Sequence, residues 1–107
     1  MKIAITADSN NLEGNISDVF GRCPYIIILE INKNEVSKTE IIKNQGVDQT
    51  GGAGIACAQI LAEKNIDQVI TNNIGPRALD VLRQFKINVV NKRGKIKKII
   101  NSLINKK

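Results

Sequence analysis

The chain has 107 residues, 42% of them hydrophobic, and a formal net charge of +6. That length and composition fit one soluble domain, 1–107, with an ordinary core. The longest apolar run, Tyr25 to Leu29, is far too short to span a bilayer. The opening Met1-Lys2-Ile3-Ala4-Ile5-Thr6 alternates like a strand and does not read as a signal peptide. A cytoplasmic protein without membrane contact is expected.

The charge is unevenly spread. All ten acidic residues lie at or before Asp80, and nine basic residues follow it, from Arg83 to Lys107. Such asymmetry marks either a solvated face or a patch for nucleic acid or an acidic partner. Only Tyr25, Phe20 and Phe85 are aromatic. Base stacking therefore has little to work with, and the solvated face is the favoured reading.

Residues 2 to 7 read as strand one. Residues 8 to 24 form a long connection, of the kind that is functional or mobile inside a compact domain. Strand two, 25 to 31, is nearly all apolar and should be buried on both faces. Asn32-Lys33-Asn34 turns the chain into strand three, 35 to 42, whose Lys38 and Glu40 suit an edge. A loop, 43 to 52, follows.

Helix one spans about 53 to 64, with Ala53, Ala56, Cys57, Ile60 and Leu61 on one face. Asn65 then stands where a left-handed residue ends a helix. Strand four is about 67 to 71. Helix two begins at Pro76, which needs no N–H at a first helical position. Its apolar face is Ala78, Leu79, Val81, Leu82 and Phe85. Strand five is about 88 to 90. Helix three, about 95 to 104, carries Ile96, Ile99, Ile100, Leu103 and Ile104 at core-docking spacing.

A hairpin followed by two β-α-β crossovers predicts an α/β fold. The expected sheet is five-stranded and mixed, of order 3-2-1-4-5, with strand two antiparallel to the rest and three flanking helices. Ligands bind such sheets beyond the carboxyl ends of the strands. Asp8 and Asn72-Asn73 fall there, as does the start of helix one, Gly51-Gly52-Ala53-Gly54. The long loop can bring Phe20-Gly21-Arg22-Cys23 to the same rim.

Glycines opening a helix allow two readings. They cradle an anion on backbone N–H groups, or they make a tight turn that permits close packing. The run lacks both the Lys-Ser/Thr ending of a P-loop and GxGxxG, so a nucleotide is not indicated. The chain has no histidine. That removes Ser/His and Cys/His catalysis. Two cysteines are too few for a zinc or iron–sulfur motif. Cys57 reads as a buried structural thiol. Cys23, beside Arg22, is a neutral loop thiol or the one candidate metal ligand. Arg22 clamps an anion or pairs with Asp18. Asp8 caps a turn or binds a cation.

Phe20-Gly21-Arg22, Gly51-Gly52-Ala53-Gly54 and Asn73-Ile74-Gly75-Pro76 occur together in this order. This combination resembles the dinitrogenase iron–molybdenum cofactor biosynthesis domain family, as a short stand-alone member, over about Met1 to Leu103. The resemblance implies a ribonuclease-H-like fold, in agreement with the strand order above. It implies binding rather than turnover. Members hold iron–sulfur–molybdenum cluster precursors, or a molybdenum–copper sulfide cluster without covalent ligands. The missing histidine counts against direct metal ligation. Lys86 stands where similar chains often have glycine, at a cost of roughly 1 kcal/mol if left-handed.

The expected function is non-enzymatic binding or carriage of an anionic metal–sulfide cluster, an iron–sulfur or molybdenum-containing one, held non-covalently. The expected site is Arg22, Cys23, Gly51, Gly52, Ala53, Gly54, Asn73 and Gly75. The cluster, or a similar anion, and a cluster-assembly protein are the expected partners. Two alternatives stand beside this. One is an interaction module whose basic C-terminal helix binds nucleic acid or an acidic partner. The other is a small hydrolase using Asp8 with a metal.

Overall fold

The computed structural model describes residues 1–44 and 52–104. Its elements are β1 (Lys2–Ala7), β2 (Tyr25–Asn32), β3 (Glu35–Lys43), α1 (Ala53–Glu63), β4 (Gln68–Thr71), α2 (Pro76–Gln84), β5 (Asn88–Asn91) and α3 (Ile96–Ile104). The sheet order is β3-β2-β1-β4-β5. β2 is antiparallel to β1 and β3, and β1, β4 and β5 run parallel. This is the order and polarity that the element pattern predicts.

Side-chain alternation divides the strands between two cores. Ala4, Ile26, Ile28 and Val69 face α1 and α2, with Cys57, Leu61, Ala78 and Leu82 closing that core. Ile3, Ile5, Ile27, Leu29 and Ile70 face the other way, onto Ile16 and Ile96. β2 is buried on both faces because successive isoleucines serve different cores. Each fully buried Ile or Leu contributes roughly 1.5–3 kcal/mol, so both layers matter to stability.

The hairpin turns through Lys33 and Asn34, at φ 53° and 63°. Two consecutive left-handed residues make the turn whose twist suits the flanking strands. α1 and α2 end alike. Asn65 and Lys86 are left-handed, at φ 58° and 59°. After α1, Asn65 N–H bonds Ala62 O at 3.1 Å and Ile66 N–H bonds Leu61 O at 3.2 Å. After α2, Lys86 N–H bonds Arg83 O at 3.0 Å and Ile87 N–H bonds Leu82 O at 2.9 Å. Both are Schellman turns, each followed by a buried isoleucine. Phe85 departs from expectation. It is 56% exposed, because it is the C-cap of α2 and lies past the last turn that packs on the sheet.

α3 docks with Ile96, Ile99, Ile100 and Leu103 against the second core, and Lys95, Lys97 and Lys98 are exposed. Lys97 pairs with Glu13. The long 8–24 connection is stitched along its length. Ser17 N–H bonds Thr6 O at 2.8 Å, Ile16 N–H bonds Gly94 O at 2.9 Å, and Phe20 N–H bonds Asn73 O at 2.7 Å. It ends in backbone contact with α1. A Cβ placed on Gly21, at φ +92°, would stand 2.6 Å from the Gly54 Cα. A Cβ on Gly54 would meet the Ala78 Cβ of α2 at 3.1 Å. Gly21 and Gly54 therefore let loop, α1 and α2 converge.

Three stability outcomes follow. Lys86→Gly should relieve the left-handed lysine and raise the unfolding free energy by about 0.5–1 kcal/mol, read as a higher urea midpoint at unchanged slope. Gly21→Ala should lower it by about 2–3 kcal/mol, since both φ and the Gly54 backbone oppose a side chain. Ile96→Ala should cost about 2–5 kcal/mol, and Ile100→Ala less, because Ile96 is fully buried and Ile100 is not.

Candidate functional site

α1 and α2 follow their loops in the same sense, so their N-termini share one rim. Gly52 takes φ 71°, a left-handed conformation that glycine adopts without strain, and chain direction changes there into α1. Gly75 is extended, and Pro76 opens α2. Ala56 N–H is the first in α1 to bond back, to Gly52 O at 2.9 Å. Leu79 N–H does the same in α2, to Gly75 O at 3.0 Å. The N–H groups before them, Ala53 to Ile55 and Arg77 to Ala78, have no acceptor within their helices. Neither helix has a side-chain cap or an acidic residue in its first turn.

A pocket of about 380 Å³ opens between these ends. The loop gives it Phe20 and Arg22. The first turn of α1 gives Gly52, Ala53, Gly54 and Ile55, and that of α2 gives Gly75, Pro76, Arg77 and Ala78. Among the described residues, the lining holds two arginines and no carboxylate. Two helix N-termini add about half a positive charge each. Such a site suits an anion.

The structure thus brings together Arg22, Gly52, Ala53, Gly54 and Gly75 from the expected set. Gly51 lies outside the described residues. Asn73 is not in the pocket wall. Its backbone N–H and its side-chain amide both donate to Asp18 O, at 3.1 and 3.0 Å, so it fastens the 8–24 loop instead. Cys23 is also displaced from the expected rim position. It is fully buried, behind Arg22, because the chain turns inward after Gly21. Arg77 was missed by the sequence reading. Counting one residue past the Gly75-Pro76 turn would have found it, since the second residue of a helix stands at its rim.

Cys23 lies against Cys57 and Asn44. The Asn44 amide donates to Gly21 O at 2.9 Å, to Cys23 O at 2.8 Å and to Cys23 Sγ at 3.6 Å. Donation to Cys23, then burial, pushes the Cys57 thiol far above its ordinary value. The same hydrogen bond holds Cys23 below that value, against desolvation. Cys23 is thus the more acidic of the pair.

A second opening of about 670 Å³ lies by Asp8, Asn15, Asp18, Asn72 and Arg93. It carries both signs of charge. Asp8 Oδ1 accepts from Asn15 N–H at 2.9 Å, which is the turn-capping role. Among the described residues, no three His, Cys, Asp or Glu side chains gather as a metal-binding set. Nor, among them, is any helix long and apolar enough to cross a membrane.

Several known proteins are similar to this one. The uncharacterized protein MJ0580 of Methanocaldococcus jannaschii is 38% identical over 89 residues, covering 83% of this chain and 72% of that protein. The crystal structure of PH0822 superposes with a TM-score of 0.86 at 25% identity, covering 98% of this chain and 91% of the other. The apo form of the orange protein from Desulfovibrio gigas superposes with a TM-score of 0.81 at 25% identity, covering 95% and 86%. The sequence model of the dinitrogenase iron-molybdenum cofactor family matches residues 1–106, and the chain belongs to that family.

Proposed function

We propose that this chain binds and carries an anionic metal–sulfide cluster, without catalysing turnover, in the pocket where α1 and α2 begin. The observation that carries this reading is the convergence of two helix N-termini without side-chain caps with Arg22 and Arg77, and, among the described residues, no carboxylate in the lining. Family membership narrows the anion to an iron–molybdenum cofactor precursor or a related iron–sulfur or molybdenum sulfide species.

The chemistry is electrostatic capture. Sulfides on a cluster surface accept hydrogen bonds from backbone N–H groups that are fixed in direction before the ligand arrives. Arg22 and Arg77 supply charge and planar donors. Phe20 and Ile55 limit water at one side. Cys23 is buried and hydrogen-bonded by Asn44, so the pocket presents no thiolate to the metal. Release to a cluster-assembly protein then breaks hydrogen bonds and no metal–protein bond.

The test is anaerobic titration of the purified protein with tetrathiomolybdate, followed by visible absorption. Wild type should bind at micromolar protein, and more weakly as salt is raised. Arg22→Ala and Arg77→Ala should each raise Kd about tenfold or more, in line with loss of one charge-assisted hydrogen bond. Gly75→Val should also weaken binding, since the added side chain stands at the rim with an ordinary extended backbone. Cys23→Ser should leave binding unchanged. Absence of binding by wild type, or equal binding by the double arginine variant, would overturn the reading.

A further inference from the structure

Cys23 and Cys57 are far apart in sequence and both fully buried in the core beneath the pocket. The path of the chain puts them there. At Gly21 the loop touches the backbone of Gly54. Two residues later the loop has reached Cys23, and three residues later α1 has reached Cys57, about one turn on. The two segments therefore run side by side from a glycine contact to a cysteine contact. Asn44, itself fully buried, holds the loop in that position through the Gly21 and Cys23 carbonyls.

We propose that Cys23 and Cys57 are a thiol–disulfide pair, and that their oxidation locks the loop bearing Phe20 and Arg22 onto the first turns of α1. The oxidant is a small-molecule disulfide. The Cys23 sulfur, its proton passing to the departing thiol, attacks one sulfur of the oxidant and forms a mixed disulfide. The Cys57 sulfur then attacks Cys23 and expels the second small thiol, which takes the Cys57 proton. Two protein thiols become one disulfide, and one small disulfide becomes two thiols. Cys23 is the attacking member because it lies on the loop, whereas Cys57 is fixed within α1.

Both sulfurs are shielded, so reaction waits for the 20–24 loop to lift from α1. Asn44 is the latch on that motion. The reduced protein can open the Arg22 side of the pocket, and the oxidised protein cannot. That this gates cargo rests on the proposed carriage of a cluster, but the chemistry of the pair does not.

The experiment uses the full chain without cargo. Protein is incubated with excess oxidised glutathione, quenched by alkylation and weighed by mass spectrometry. The expected product is an internal Cys23–Cys57 disulfide, two hydrogens lighter, with no retained glutathione. Amide hydrogen exchange at Gly21 to Cys23 should slow in that product. Asn44→Ala should oxidise about tenfold faster, as expected when buried hydrogen bonds holding a local segment are lost. Asn44→Asp, which keeps the side-chain shape but has no amide donor, serves if the alanine variant does not fold. Retained glutathione, thiols that stay free while glutathione oxidises an unfolded control, or unchanged loop exchange after oxidation would each overturn the proposal. None of these outcomes depends on whether thiomolybdate binds.

Discussion

The pocket exists because two backbones touch where no side chain intervenes. Gly21 in the loop and Gly54 in the first turn of α1 approach closely enough that a Cβ on Gly21 would sit 2.6 Å from the Gly54 Cα. Gly54 in turn lets Ala78 of α2 come near. These contacts set how far apart the loop arginine and the two helix ends can be. They also decide what lies behind the rim, since the chain beyond Gly21 must turn inward and carries Cys23 with it. The shape of the pocket and close packing are thus two results of the same glycines.

Of the buried polar groups, Asn44 reaches this contact directly, through the Gly21 carbonyl. Among the described residues, no buried side-chain nitrogen or oxygen lacks a hydrogen bond. Asn44 spends its amide on the loop carbonyls. Thr6 donates to Thr71 at 2.8 Å across β1 and β4, just below the strand ends. A buried hydroxyl or amide is costly unless paired, so each such pair holds its neighbours in one arrangement. The floor of the site is therefore rigid in the directions that position its donors.

Much of this was legible in the sequence. The strand order followed from a hairpin and two crossovers, the left-handed Asn65 followed from helix-stop chemistry, and the left-handed Lys86 was raised by the family resemblance. The convergence of Arg22 with Gly52, Gly54 and Gly75 followed from topology, because strand ends and helix starts share a rim. What failed was direction. Nothing in Gly21-Arg22-Cys23 says which of the adjacent side chains points out, so arginine and cysteine were both placed at the rim. Asn73 was placed in the site because it ends a strand, yet its hydrogen bonds serve the loop. Phe85 was read as core from its spacing, although the helix stops one residue too early for that spacing to hold. The meeting of Cys23, Cys57 and Asn44 joins three distant segments, and local pattern carries no signal for it.

The shared rim also has an electrostatic side. Because β4 and β5 are parallel, α1 and α2 are parallel too, and their positive ends lie together. Two like half-charges at one rim repel each other. Arg77 stands at the same corner. An anion seated at this corner, as proposed, would offset the repulsion between the two helix ends. Affinity and fold stability become the same quantity seen from two directions. On the proposed reading, the ligand preference lies in the arrangement of the helices, before any side chain is chosen to contact the ligand.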